Sequence, residues 1–398
     1  MPLLSIWNSN PETISQFTIE QVVSAAGKGK LLDNNDCSTE LREYLSQVSS
    51  EKLAEYADYC LTTKFENNGK ILQDVVNELG RRLDYKVTNG RYQGSQNAIG
   101  NDGLWLSPEG HHLVVEVKTT DAYSISVDTI AKYRKSLRDQ NEIGEENSML
   151  LVVGRYDTGQ LEAQVRGSRH AWDMRLISVD SLINLVNLKE NTEDELTSTK
   201  IRSILIPMEN TRLDRLIDVM FTTAKDVESV FESETPKQEV SEESRSEKGN
   251  WEFTETTLID NMRSNILRAI EKAKESKLVK KSRALYWSSD RSIGVACTIS
   301  KRYFGKNFLY WYAYHPGWQE FLSKTAEGFF ALGGMDLNVA FAIPLVVIQD
   351  KLDELNTTTK NGRIYWHIQI QQTDEGNFRM QCQKSGKHLD LMPYIINI

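Results

Sequence analysis

Between Glu232 and Asn250 the chain runs ESETPKQEVSEESRSEKGN, with Val240 as its single aliphatic side chain. Such a stretch cannot bury enough apolar surface to offset the entropy of ordering it, so it reads as a flexible tether. One continuous core across all 398 residues is therefore excluded. The expected organisation is a helical N-terminal cap over 1–64, an α/β domain over 65–230, an acidic linker over 231–250 and a separate C-terminal α+β domain over 251–398. Both sides of the tether are long enough to build their own cores. No repeat with a period of 20 to 50 residues is present.

The tether also explains the charge. The net value of -9 argues at first against a polyanion partner. Residues 1–230 carry 25 Lys and Arg against 35 Asp and Glu, and 231–250 carry 3 against 6. Residues 251–398 carry 19 against 15, so the C-terminal part is mildly basic. Other classes are poorly supported. There is no run of about 18 apolar residues, so no membrane partner is expected. The N-terminus MPLLSIWNSNPETIS shows no secretory pattern. Cys37, Cys60, Cys297 and Cys382 are widely spaced, without a CxxC pair. A zinc site or disulfide framework is not expected, and a reducing cytoplasm is the default location.

The first 64 residues read as helices. Thr18 and Gln21 make a capping box before a helix that stops near Gly27. Leu41, Tyr44, Leu45 and Val48 mark one apolar face, continued by Leu53, Tyr56, Tyr59 and Cys60. From Gly69 the pattern alternates. Ile71, Leu72, Val75, Val76 and Leu79 stripe an amphipathic helix, and a short strand follows near Tyr85–Val87. After a polar loop comes a hairpin: Leu104-Trp105-Leu106, the turn Ser107-Pro108-Glu109-Gly110, then His112 to Lys118. A helix over Val127–Arg138, a strand over Met149–Val153 and a last α/β stretch ending in a helix over Val179–Leu188 complete the domain. A mixed sheet flanked by helices is expected.

The hairpin carries the chemistry. With the turn centred on Glu109, residues whose numbers sum to 218 lie opposite one another, so Asp102 faces Glu116. Alternation puts Glu116 and Lys118 on one face and Leu113, Val115 and Val117 on the other. The second face is apolar and is expected to be the core side. Two carboxylates and an ammonium then converge on the opposite side. Asp102 and Glu116, with the main-chain carbonyl of Val117, offer the hard oxygen ligands that Mg²⁺ or Mn²⁺ takes. A metal there activates water and neutralises charge on a scissile phosphate, while Lys118 orients the water or stabilises the transition state.

Asp102 followed by Glu116-Val117-Lys118 resembles the Asp…Glu-x-Lys signature of the PD-(D/E)xK nucleases, the restriction-endonuclease-like superfamily. The order of helix, three strands, helix and strand from Gly69 to Val153 is similar to that family's core. The likeness covers roughly Gly69 to Leu188. It implies that Gln73, in GKILQDV, supports the site from the first helix, at a place where the family more often has Glu. Asn101 stands where the family often has Pro, and Tyr133 with Thr129 half matches the Gln-x-x-x-Tyr of RecB-type relatives.

Basic residues extend a phosphate-facing surface. Lys132, Lys135 and Arg138 recur every three residues with Arg134 beside them, and Arg166 and Arg169 form a second group. Thr119 and Thr120 offer hydroxyls next to Lys118. His111 and His112, adjacent on a strand, point to opposite faces and make no joint metal site. Phosphate loops of the P-loop type and Gly-x-Ser-x-Gly elbows are missing.

The C-terminal part holds 20 of the 35 aromatic residues. A helix over Glu255–Ser276 runs into a basic stretch that includes Lys280 and Lys281. Strands are expected at Ala284–Trp287, Gly294–Ser300, Phe308–Tyr314, Val339–Ile343, Tyr365–Gln371 and Phe378–Gln383, with helices at Trp318–Lys324 and Leu345–Leu355. These make an α+β domain with a strongly curved sheet. Trp287, Trp311, Tyr314, Trp318 and Trp366 either stack on bases or fill a small core.

The sequence thus predicts a metal-dependent endonuclease acting on nucleic acid, foremost double-stranded DNA, in a restriction or phage-defence role. A homodimer is compatible with it. Two alternatives remain at this point: an inactive nuclease-like scaffold that binds nucleic acid or protein, and a nuclease released by a ligand.

Overall fold

The computed structural model describes residues 2–92, 100–122, 127–155, 159–192, 195–207, 256–303, 307–360, 363–373 and 375–398. The expected linker at 231–250 lies outside them. The chain divides into two compact units, Met1–Ala224 and Lys225–Ile398, each mixed α/β. Among the described residues no helix is long and apolar enough to cross a membrane. The four cysteines are buried and free.

The N-terminal unit begins with five helices: α1 (Pro2–Ser9), α2 (Pro11–Ser15), α3 (Ile19–Ala25), α4 (Asp36–Gln47) and α5 (Ser50–Thr62). The Thr18–Gln21 capping box is present, each side chain accepting from the other residue's backbone N–H. Next comes α6 (Asn68–Arg82), then β1 (Lys86–Asn89), β2 (Gly103–Leu106), β3 (His112–Lys118), α7 (Val127–Asp139) and β4 (Asn147–Val153). The helix α8 (Gln160–Gly167), not anticipated from the sequence, precedes β5 (Met174–Ser178), α9 (Val179–Glu190) and α10 (Glu195–Ile204). The strands form one mixed sheet in the order β1-β2-β3-β4-β5. The first three are antiparallel neighbours, and β3, β4 and β5 run parallel.

Helices cover both faces of this sheet. Leu113, Val115 and Val117 join α6, α9 and the five N-terminal helices in one apolar cluster. The expected cap is therefore built into the same core as the sheet. Val114, Met149 and Leu151 pack on the opposite face against Val127, Ile130 and Leu137 of α7. The face that carries Glu116 is thus a second core layer, not an open polar surface, because the parallel half of the sheet needs cover on both sides.

The far end of the unit holds the hairpin. Arg202 of α10 donates from Nε to the Glu109 carboxylate at 3.2 and 3.1 Å. It also reaches the Leu83 carbonyl and Asp84, both at 3.4 Å. Gly110, with φ +93°, closes the turn in a backbone region open to glycine.

In the C-terminal unit the helix Thr256–Lys274 precedes β6 (Leu278–Lys280), β7 (Leu285–Ser288), β8 (Ile293–Ser300) and β9 (Tyr310–Tyr314). The helix Pro316–Ser323, β10 (Glu327–Gly334), β11 (Val339–Pro344) and the helix Leu345–Gln349 follow. The last strands are β12 (Thr357–Lys360), β13 (Arg363–Gln372), β14 (Phe378–Cys382), β15 (Lys387–Asp390) and β16 (Ile395–Asn397). They build two sheets in place of the one curved sheet expected. One has the order β16-β11-β10-β8-β7-β6, with β8 and β10 parallel. The other, β12-β13-β14-β15 with β9 on β13, is antiparallel throughout. Tyr310, Tyr312, Tyr314, Phe330, Phe341 and Ile368 belong to the core shared by the two sheets.

Candidate active site

The β2–β3 pairs Gly103↔Val115, Leu104↔Val114 and Trp105↔Leu113 have the register read from the turn. Asp102 stands one residue beyond β2, where the regular ladder ends. Its N–H reaches the Val115 carbonyl at 3.0 Å. Its Oδ2 accepts the Val117 N–H at 2.7 Å. Lys118 Nζ donates to Glu116 Oε1 at 2.6 Å. Asp102, Glu116, Val117 and Lys118 therefore form one cluster at the C-terminal end of β3.

Gln73, on α6, is brought into the same cluster. Its Nε2 donates to the Asp102 carbonyl at 2.9 Å. Asn77, one turn further along α6, does the same at 2.9 Å. Asn77 is a residue that the sequence reading missed. Its only signal was the i+4 spacing from Gln73, which puts both amides on one helix face.

The electrostatics of the cluster are unusual. Glu116 is only 8% exposed, and its Oε2 is buried without a hydrogen-bond partner. Burial, followed by the nearby Glu116 charge, pushes the Asp102 carboxyl up to about 7. Burial also raises Glu116, against the pull of Lys118. For Lys118 burial opposes the charge, but Glu116 and Asp102 outweigh it and hold the ammonium above its ordinary value. Tyr133 of α7 approaches the same ammonium and packs beside Gly100.

A buried carboxylate with an unpaired oxygen, next to a second carboxylate, is costly unless a positive charge joins them. Their hard oxygens suit Mg²⁺ or Mn²⁺, so this donor set fits such an ion. Among the described residues no group of three His, Cys, Asp or Glu side chains assembles around a common point. The Val117 N–H is committed to Asp102. The Gln73 nitrogen is committed to the Asp102 backbone, which makes Gln73 a support for that residue.

The other candidates divide. Lys132, Lys135 and Arg138 are exposed along α7, as a phosphate-facing ridge requires. Arg134 is not part of that ridge. It donates to the Asn147 side chain and, at 3.1 Å, to the Asn147 carbonyl, and pairs with Asp173 at 3.0 Å. Its place in the helix turns it inward, toward the start of β4. Arg166 pairs with Glu162 and Arg169 with Asp128, yet both side chains remain largely exposed. Thr120 is buried and accepts the Ala122 N–H at 3.2 Å, so its hydroxyl shapes the loop after β3. His111 bonds Ser148 at 2.9 Å and His112 accepts from Gly144 at 3.4 Å, separate roles as expected.

In the C-terminal unit Lys280 lies on β6 and the Lys281 ammonium sits 5.1 Å from the Trp287 ring. Trp311, Tyr314 and Trp318 are buried, which removes them as exposed stacking platforms. Trp287 and Trp366 are half-buried against the same core. No protein-family model and no curated protein matches the chain.

Proposed function

We propose that the N-terminal unit is a divalent-metal-dependent nuclease, similar in its site to the PD-(D/E)xK enzymes, with DNA as its foremost substrate. The observation that supports this best is the buried Glu116 Oε2, which has no hydrogen-bond partner among the described residues and lies beside the Asp102 carboxylate and the Lys118 ammonium. Asp102 and Glu116 would hold Mg²⁺ or Mn²⁺, and such an ion supplies an activated water and charge neutralisation. Lys118, kept charged by its two acidic neighbours, stabilises negative charge on the phosphate. It is poorly suited to act as a base. Gln73 keeps the Asp102 backbone in place, and Lys132, Lys135 and Arg138 offer phosphate contacts. A restriction or phage-defence role follows from analogy with enzymes that pair such a unit with a second domain.

Plasmid incubated with the full-length protein and Mg²⁺ tests this reading. Wild type is expected to cleave, and Lys118→Ala and Asp102→Ala to lose the activity. Equal cleavage by the variants rejects the assignment. Among the described residues no third acidic side chain joins Asp102 and Glu116, which favours one second reading, a nuclease-like scaffold that binds without cutting. Tight DNA or RNA binding with no cleavage under any divalent ion selects it.

A further inference from the structure

The carbonyl of Asp102 accepts three N–H groups: Gln73 Nε2 at 2.9 Å, Asn77 Nδ2 at 2.9 Å and Gly90 N at 3.0 Å. A carbonyl oxygen has two lone pairs, so this atom is saturated. The other side of Asn77 is equally committed, since its Oδ1 accepts the Trp105 indole N–H at 2.8 Å. An indole only donates, so the amide oxygen must face Trp105 and the amide nitrogen must face Asp102. The orientation is fixed by chemistry at both ends. Asn77 and Trp105 are fully buried.

The surroundings leave this amide no room to shift. A Cβ at Gly103 would lie 2.2 Å from Asn77 Oδ1, and one at Gly80 would lie 2.7 Å from the Trp105 ring. Both positions are glycine, and the helix and strand close directly onto the amide. Asn77 therefore bridges residues 102 and 105 at the end of the ladder, and adds a side-chain donor to the backbone bonds that Asp102 makes with Val115 and Gly90.

We infer that Asn77 is the positioning residue of this site: it sets where Asp102 Oδ1 lies relative to Glu116, without itself touching a metal or substrate. The inference rests on the metal-site reading above. Groups that orient ligands from behind typically change metal affinity about 10- to 100-fold when removed.

The test is Mn²⁺ binding by the full-length protein, followed by the electron paramagnetic resonance signal of the free ion, with thermal melting in parallel. Asn77→Asp keeps an acceptor for Trp105 and loses the donor to Asp102. It is expected to weaken Mn²⁺ at least about 10-fold. Trp105→Phe removes the other bond and leaves the donor in place. It is expected to lower the melting temperature while holding Mn²⁺ affinity within about 3-fold of wild type. A residue with a merely structural role would move melting in both variants and affinity in neither.

Wild-type affinity in folded Asn77→Asp overturns the inference. If that variant does not fold, Asn77→Leu combined with Trp105→Phe, which removes the donor to Asp102 without stranding an indole N–H, takes its place, with about 10-fold weaker binding expected and unchanged affinity overturning the inference. A wild-type protein that binds no Mn²⁺ refutes the metal-site reading and this inference with it. Binding by wild type that the variants share refutes this inference alone.

Discussion

In the N-terminal unit the cluster around Asp102 contains two carboxylates, a lysine and two amides, and the buried Glu116 Oε2 there has no hydrogen-bond partner among the described residues. In the C-terminal unit the interior is rich in aromatic rings, and two of its phenol hydroxyls are paired. Tyr310 donates to Asp336 at 2.7 Å and Tyr312 to the Gly333 carbonyl at 2.9 Å. The first arrangement works against stability, because desolvated carboxylates repel one another. The second contributes to stability through buried ring area and paired hydroxyls. The contrast separates a buried carboxylate cluster, to which we ascribe chemistry, from polar groups that accompany aromatic packing.

The largest expected effect is on activity. Asp102→Ala or Lys118→Ala should lower metal-dependent cleavage by at least about 100-fold in a plasmid assay. Next comes Phe330→Ala in the C-terminal core, which should cost about 3–5 kcal/mol in denaturant unfolding of that unit. Comparable activity losses from the core change and the site changes would erase the contrast.

The third prediction concerns pH. The folded-state pKa of Asp102 is raised from 3.8 to about 7, so the native state binds the extra proton. Stability from this group is fully present below the unfolded value and is lost as pH rises toward 7. In metal-free buffer Asp102→Asn should gain melting temperature relative to wild type as pH rises from 4 to 7. A constant difference across that window counts against the buried-carboxylate account.

Smaller effects sharpen the picture. Tyr312→Phe should cost about 1 kcal/mol through its lost bond to Gly333, whereas Tyr314→Phe should be neutral or slightly stabilising. The Tyr314 hydroxyl is buried and has no hydrogen-bond partner among the described residues. Smallest is the ridge on α7. Lys132→Ala with Lys135→Ala should weaken DNA binding uniformly across sequences and reduce its salt slope by about 2.

Much of this was legible in the sequence because it is written in local periodicity. The turn at Ser107–Gly110 set the register that puts Asp102 opposite Glu116, and the stripe of α6 was visible as Ile71, Leu72, Val75, Val76 and Leu79. Non-local placement was not legible. Asn77 acquires a role only once α6 lies on β2, and the spacing of Lys132 to Arg138 cannot reveal that Arg134 alone turns toward Asn147. Strand β10, EGFFALGG, was overlooked because it lies between two neighbours in the sheet and shows no alternation. Its Gly333 accommodates Ile266 and Ile299 in place of a side chain. The short strands β6, β12, β15 and β16 have three or four residues each, too few to show a period.

The grip of Arg202 on the Glu109 turn has a consequence for the order in which the protein comes into being. The clamp is 93 residues downstream of the turn it holds. At about 5–20 residues per second, a ribosome releases Asp102 and Glu116 roughly 5 to 20 s before Arg202 can reach them. A growing chain therefore carries its acidic pair before it carries the residue that steadies their hairpin. The turn thus gains this clamp only after α10 has been made.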